Sequence, residues 1–362
     1  MTEREKEILD LIRIDPFIAQ QEIADRLGIS RSAVAGHIMN LTNKGVIQGK
    51  GYVLAPEHYA VVLGGANIDL TGRAAAKLVV GDSNPGVLSS SAGGVGRNIA
   101  DNLSRLGSRC QFVGVLGDDH WAEMLLEACR QAGVETGHCL IETGESSSCY
   151  LSIHDTGGEM QLALNDMELI ERLTPEQLAK RDALLSRATV IAVDANLSEA
   201  ALAYLFDHYG DKQIFVDPVS SVKAPKLSGY LNRIDTLKPN CIEAGLLSGI
   251  EIEGTDDVVK AADKLHQLGV RRVLISLGAE GCYASDRDHG AHWLNPHNGA
   301  VSNVTGGGDA LMAGLIHGEL NQWAWQDSTQ FSFAAAALAV AADSTINPEM
   351  SEAAVLRLLG DK

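Results

Sequence analysis

Residues 302–309 read S-N-V-T-G-G-G-D and run into the helix-forming Ala310, Leu311, Met312 and Ala313. Consecutive glycines ahead of a helix leave the first free N–H groups unobstructed by any Cβ, and such a turn cradles an anion such as phosphate. Asp309 then falls in the first helical turn, beside the anion, where a carboxylate can take a proton. The string equally suits a glycine-rich turn with a capping Asp, so its neighbours must decide. Upstream, A-V-V-L-G-G-A-N-I-D brings Asn67 and Asp69 to the carboxyl end of a short apolar strand, the place where open α/β sheets bind ligands. Residues 89–106 begin S-S-S-A-G-G-V-G-R-N. Gly93, Gly94 and Gly96 allow close backbone approach there, and Asn98 in the first turn of the following helix can reach a hydroxyl, although a plain nucleotide-fold turn fits as well.

Positioning these groups requires a sheet. Apolar runs at 110–116, 190–193, 214–216, 236–238 and 273–277 alternate with helical patterns at 121–132, 199–208 and 242–247. Short strands separated by helices predict a mainly parallel sheet covered on both faces. Residues 147–154 and 159–164, joined by Asp155-Thr156-Gly157-Gly158, read instead as a hairpin with alternating exposure. A hairpin inside such an alternation is a candidate lid.

The first 55 residues are different in character. They hold seven Lys/Arg and seven Asp/Glu, whereas the whole chain of 362 residues has 29 against 47 and a net charge of -18. That balance excludes a protein that coats nucleic acid or anionic membrane with its whole surface. Three helices are expected at 3–14, 20–27 and 31–44, with Gly28 ending the second and Ser30 capping the third. With a two-stranded wing at 46–54, they resemble a winged helix-turn-helix domain. The resemblance offers Arg31, Ser32, His37, Asn40 and Lys44 to DNA, with Lys50 on the wing, and implies a homodimer because one such helix reads few base pairs. The neutral charge of the module is a poor electrostatic footprint for DNA, and an assembly role fits the same shape. Residues 55–58 read as the linker. No apolar stretch is long enough to span a bilayer, and the six cysteines form no C-x-x-C pair, which together predict a cytoplasmic protein with reduced thiols.

From residue 59 to the C-terminus, G-G-A-N-I-D, A-G-G-V-G-R-N, K-P-N-C-I-E, I-S-L-G-A-E-G and N-V-T-G-G-G-D-A resemble the PfkB family of carbohydrate and nucleoside kinases. The implied architecture is α/β, a ribokinase-like three-layer sandwich with a mainly parallel sheet and a small β lid, from about 69–92 and 146–167, preceded by the winged helix-turn-helix domain. The implied domains are residues 1–55 and 59–362. In this resemblance Asp309 is the catalytic base and Gly306, Gly307 and Gly308 form the anion hole. Asn67, Asp69, Gly93, Gly94 and Asn98 bind the acceptor. Asn240, Ser276, Gly278, Gly281 and Thr305 bind ATP, and Glu243 serves Mg²⁺ through water. A monovalent cation, K⁺, is implied beside the anion hole near Asn303, Thr305 and residues 344–347. Ser147 to Tyr150 and the run 158–167, which brings in Asn165 as a substrate residue, resemble the pseudouridine kinase branch. Asn303 and Gly307 depart from the D-T-x-G-A-G-D of most members, and Asn303 fits that same branch. The expected activity is ATP-dependent phosphorylation of a ribosyl 5'-hydroxyl, as in pseudouridine. The alternatives are a sugar- or nucleoside-sensing transcription regulator and a kinase for free ribose.

Overall fold

The computed structural model describes residues 1–49, 58–296 and 302–360. The chain divides into two compact units, residues 1–58 with 180–187, and residues 59–179 with 188–362.

In the first unit, helix α1 (Glu3–Ile14) starts on Thr2, which shares a capping box with Glu5, and stops at Asp15, just before Pro16. Helix α2 (Gln20–Leu27) closes on Gly28, whose φ of 63° suits glycine. Helix α3 (Arg31–Asn43) is capped by the Ser30 side chain, which accepts the Ala33 N–H. Ile8, Leu9, Ile12, Ile23, Val34, Ile38 and Leu41 make its core, which Val46 and Ile47 join. The rest of the expected wing and linker, residues 50–57 with Lys50, lies outside the described residues.

The second unit opens with β1 (Ala60–Leu63), β2 (Asn67–Ala74), β3 (Gly86–Gly93), α4 (Val95–Arg105), β4 (Cys110–Val113), β5 (Val115–Gly117), α5 (His120–Ala132) and β6 (Leu140–Glu142). It continues with β7 (Cys149–His154), β8 (Met160–Asp166), α6 (Pro175–Ala179), and, after α7 (Asp182–Leu185) of the first unit, β9 (Val190–Asp194), α8 (Glu199–Tyr209), β10 (Gln213–Asp217) and β11 (Thr236–Leu237). Helices α9 (Cys241–Ser248) and α10 (Thr255–Gln267), strands β12 (Arg272–Ser276), β13 (Cys282–Asp286) and β14 (Gly290–Leu294), and helices α11 (Gly307–Leu320), α12 (Trp325–Val340) and α13 (Glu352–Gly360) complete it.

The main sheet has eight strands in the order β14-β13-β12-β11-β10-β9-β1-β4. Its pairs from β12 through β4 are parallel, and β13 and β14 are antiparallel. The parallel strands are buried throughout or nearly so, as a sheet covered on both faces requires. A separate four-stranded sheet, β3-β2-β7-β8, is built from the expected lid segments. Two expectations change. Residues 110–116 form two strands with a break at Gly114, where a Cβ would lie 2.7 Å from the Phe112 ring, and β5 pairs with β6 instead of continuing the main sheet. Residues 89–93, read as the approach to a helix, are the end of β3, which pairs with β2.

Candidate active site

The glycine turn opens α11 as the sequence suggests. Gly306 has φ 87°, and a Cβ there would lie 2.2 Å from the Thr345 carbonyl oxygen, so no other residue fits without moving the chain. Gly307 and Gly308 begin the helix, leaving their N–H groups without helical partners at the positive end of its dipole. The buried Asp309 carboxylate accepts a hydrogen bond of 2.8 Å from Asn98 Nδ2. Burial, then the nearby Asp217 carboxylate, pushes the Asp309 carboxyl up to about 7, against the opposing effects of Asn98 and Lys238. The helix end therefore does not keep this pKa ordinary; desolvation outweighs it.

Facing the turn is a pair that the sequence reading did not single out. Lys238 Nζ lies 3.1 Å from Asp217 Oδ2, both side chains buried. A Cβ on Gly308 would come within 3.1 Å of the same Nζ, so the ammonium stands at the mouth of the anion cradle. Asp217 also accepts the N–H of Val219 at 2.8 Å. Val219 holds φ 68°, a strained value for a β-branched residue and a mark of a constrained loop.

Among the residues expected from sequence to meet the nucleotide, Asn240 caps α9, accepting the Glu243 N–H at 2.9 Å while Glu243 Oε2 accepts the Asn240 N–H at 2.9 Å. Glu243 is buried, which raises its carboxyl, and its other oxygen is not used by the cap. Asn240, Ser276 and Gly278 line one recess of about 360 Å³ with Cys241, Thr255 and Leu277. Gly281, at φ 105°, closes the same loop through its carbonyl, which accepts the Leu277 N–H. Thr305 is exposed, and its N–H donates to Asn303 Oδ1 at 2.9 Å. Asn303 Nδ2 in turn donates to the Asp343 carbonyl at 3.1 Å, joining the turn to the segment after α12.

Among the residues expected from sequence to meet the acceptor, Asn67 and Asp69 start β2 and are joined by a 2.7 Å hydrogen bond from Asn67 Nδ2. Burial raises the Asp69 carboxyl, and Asn67 works against it. Asp69 is paired with Ser91 on β3 and Tyr150 on β7, and Tyr150 with Asn165 on β8, so these four side chains share one face of the small sheet. Gly93 sits against the Asp69 carboxylate, where a Cβ would clash at 2.2 Å. Gly94, at φ 96°, lets its segment touch the Gly65 carbonyl, where a Cβ would come within 2.5 Å.

Residues 57–352 match the pfkB family of carbohydrate kinases, and residues 1–48 match the winged helix-turn-helix DNA-binding family. The chain belongs to the pfkB family. It is 42% identical over 301 residues to the pseudouridine kinase of Escherichia coli (strain K12), across 83% of this chain and 96% of that one. It is also 42% identical over 359 residues to YeiI, an uncharacterized sugar kinase of the same organism, across 99% of both chains. Among solved structures, a carbohydrate kinase from Agrobacterium tumefaciens is 31% identical with a TM-score of 0.72, covering 84% of this chain and 97% of its own. The Arabidopsis thaliana ribokinase complexed with ribose and ATP, at 21% identity and a TM-score of 0.74 over 84% of this chain and 99% of its own, shares the ribokinase-like fold. The protein is thus a pfkB sugar or nucleoside kinase carrying a winged helix-turn-helix module.

In this pfkB kinase the residues expected from sequence divide between the two units. Asp309 and Asn98 meet directly; Asn67, Asp69, Tyr150 and Asn165 occupy one sheet face; Asn240 and Ser276 pair as a β-bridge. In the N-terminal module, Arg31, Ser32 and Asn40 are exposed on α3, while His37 is half-buried with an unpartnered Nδ1. Lys44 is held by Glu5, whose carboxylate accepts from its ammonium at 2.8 and 2.9 Å. Its charge is therefore largely answered within the module. The strand-end carboxylates Asp194 and Asp217 and the Lys238 of K-P-N went unassigned. The signal was present in V-I-A-V-D and I-F-V-D, two apolar runs each closed by Asp at the sheet edge where ligands bind.

Proposed function

We propose that this kinase transfers the γ-phosphoryl group of ATP to the 5'-hydroxyl of a nucleoside, with pseudouridine the first candidate. The observation that carries the reading is the bond between Asn98 and Asp309, which sets a base at the anion cradle beside the face of Asn67, Asp69, Tyr150 and Asn165. The 42% identity to the Escherichia coli pseudouridine kinase supports the acceptor class.

In this mechanism Asp69 and Asn67 accept from and donate to the vicinal diol of the ribose, which fixes the 5'-hydroxyl near Asp309. Asp309 takes the hydroxyl proton as the bond from the 5'-oxygen to the γ-phosphorus forms and the bond from that phosphorus to the β,γ-bridging oxygen breaks, which releases ADP. The N–H groups of Gly307 and Gly308, together with the Lys238 ammonium, stabilise charge on the equatorial oxygens of the transferring group. The small sheet covers the acceptor and excludes water. Among the described residues no group of three His, Cys, Asp or Glu is arranged to hold a metal ion. A hard cation held through water by the spare oxygen of Glu243, and otherwise by phosphates, fits this donor set. Mg²⁺ there would neutralise the phosphates of ATP. A monovalent cation, K⁺, would take carbonyl oxygens around Asn303, Thr305 and residues 344–347.

The winged helix-turn-helix match supports a second activity, DNA binding through α3, by a dimer that presents two such helices. None of the six cysteines forms a disulfide among the described residues, which suits a reducing cytoplasm. The kinase reading is tested by ADP release with pseudouridine, uridine, other nucleosides and ribose. Turnover of ribose but of no nucleoside would replace the proposed acceptor, and release independent of any acceptor would sink the reading.

A further inference from the structure

The acceptor residues arrive on two segments, 64–69 and 93–98, that are distant in sequence, and something must hold the two in register. Their backbones touch: a Cβ on Gly96 would lie 2.7 Å from Gly64 Cα, and the Arg97 N–H donates to the Gly65 carbonyl at 3.1 Å. Beneath that junction stands Asp194, the last residue of β9, with no exposed surface. Its Oδ2 accepts the Gly65 N–H and the Gly96 N–H, each at 2.8 Å, and its Oδ1 accepts the Asn196 N–H at 2.9 Å. The amide oxygen of Asn196 is in turn held by the Lys223 ammonium. A Cβ on Gly64 would lie 2.3 Å from Oδ2, so the carboxylate fills the space that the glycines leave.

We propose that Asp194 is the positioning residue of the acceptor site, using one carboxylate oxygen to bind the two glycine segments that present Asn67, Asp69 and Asn98. This rests on the assignment of those residues to the acceptor. Three features separate the role from plain packing. A buried carboxylate is costly and stays only where donors converge on it. Both donors on Oδ2 belong to the acceptor segments. None of the nucleotide-side residues Asn240, Ser276, Gly278 and Gly281 bonds to Asp194, so its loss should be felt on one substrate only.

Asp194→Asn is the informative change. An amide has one acceptor oxygen, so its NH₂ must face either the Gly65 and Gly96 donors or the Asn196 donor. With the acceptor that the wild type turns over fastest among pseudouridine, uridine and ribose, Asp194→Asn raises the acceptor KM at least tenfold. The KM for ATP and the affinity for ADP, measured by calorimetry, stay within twofold. Gly96→Ala, which forces the same junction apart from the other segment, gives the same selective loss and decides the matter alone if Asp194→Asn does not fold. An unchanged acceptor KM, or parallel weakening of acceptor and ADP, overturns the proposal. Should the best acceptor be ribose, the nucleoside reading fails while this measurement stands.

Discussion

Asn98 and Asp309, 211 positions apart, meet through a single 2.8 Å hydrogen bond that joins the start of α4 to the start of α11. The bond favours the ionised carboxylate, so removing it makes Asp309 harder to deprotonate. Asn98→Ala is expected to move the acid limb of the kcat/KM pH profile to higher pH and to lower kcat/KM about 10- to 100-fold, the range for a lost charged hydrogen bond. A profile that keeps its limb while its height falls would assign Asn98 to acceptor binding only.

Asp309 itself links activity to stability. With its carboxyl raised from 3.8 to about 7, the folded protein holds a proton that the unfolded chain releases, so this group's contribution to stability falls as pH rises across that window. Above it, the enzyme carries a buried charge that its fold disfavours. Asp309→Asn should abolish turnover by at least roughly 10³-fold, in line with loss of a positioned base together with its geometry. At pH 8 the same variant should melt higher than the wild type, and the gain should vanish near pH 4. Thermal melts at the two pH values check the sign.

Lys238 and Asp217 form a buried pair whose halves depend on each other. Lys238→Met leaves Asp217 without its counter-charge and is expected to cost about 3–5 kcal/mol in urea unfolding. Asp217→Asn added to it keeps an acceptor for the Val219 N–H and should restore most of that stability, while turnover stays lost because the phosphoryl charge has no ammonium. Recovery of turnover in the double variant would confine Lys238 to a structural role.

Glu243→Gln separates the cap from the cation. Glutamine still accepts the Asn240 N–H, so the helix start and the melting temperature should hold. The Mg²⁺ concentration for half-maximal rate should rise about tenfold as the carboxylate charge that holds the hydrated cation is lost. A titration with no shift would place the metal elsewhere.

In the N-terminal module the cations Arg4, Lys6, Arg13, Arg26 and Lys44 each lie against an acidic side chain, whereas Arg31 has no ion pair among the described residues. Arg31→Ala should therefore lower the slope of log affinity against log salt for DNA by about 1. Lys44→Ala should change that slope less and instead reduce thermal stability, because the Glu5 carboxyl is held low by the Lys44 ammonium and would lose its partner. Fluorescence titration at several salt concentrations distinguishes the two.

The helices of the module, the glycine turn and the parallel strands were readable because each rests on local chemistry: caps at Thr2 and Ser30, left-handed glycines at Gly28 and Gly306, and apolar runs at the right length. The break at Gly114 was not, since beyond it β5 leaves the main sheet to pair with β6, a neighbour only in space. Asp309's raised carboxyl was also out of reach, because burial is a property of packing and no string of residues states it. The same holds for Asp194, Asp217 and Lys238, whose partners Gly65, Gly96 and, within the buried pair, each other come from segments distant in sequence.

The floor of the proposed acceptor site is a glycine junction, with Gly64, Gly94 and Gly96 packed so closely that one methyl group would collide, while its proposed wall is a row of side chains on two hairpins. These two surfaces differ in how they can evolve. Drift in the floor is refused at the first step, whereas Ser91, Tyr150 and Asn165 can be exchanged without disturbing the base or the cradle. On that proposed assignment, a lineage built on this scaffold would change its diet by rewriting the hairpins and inherit its chemistry unaltered.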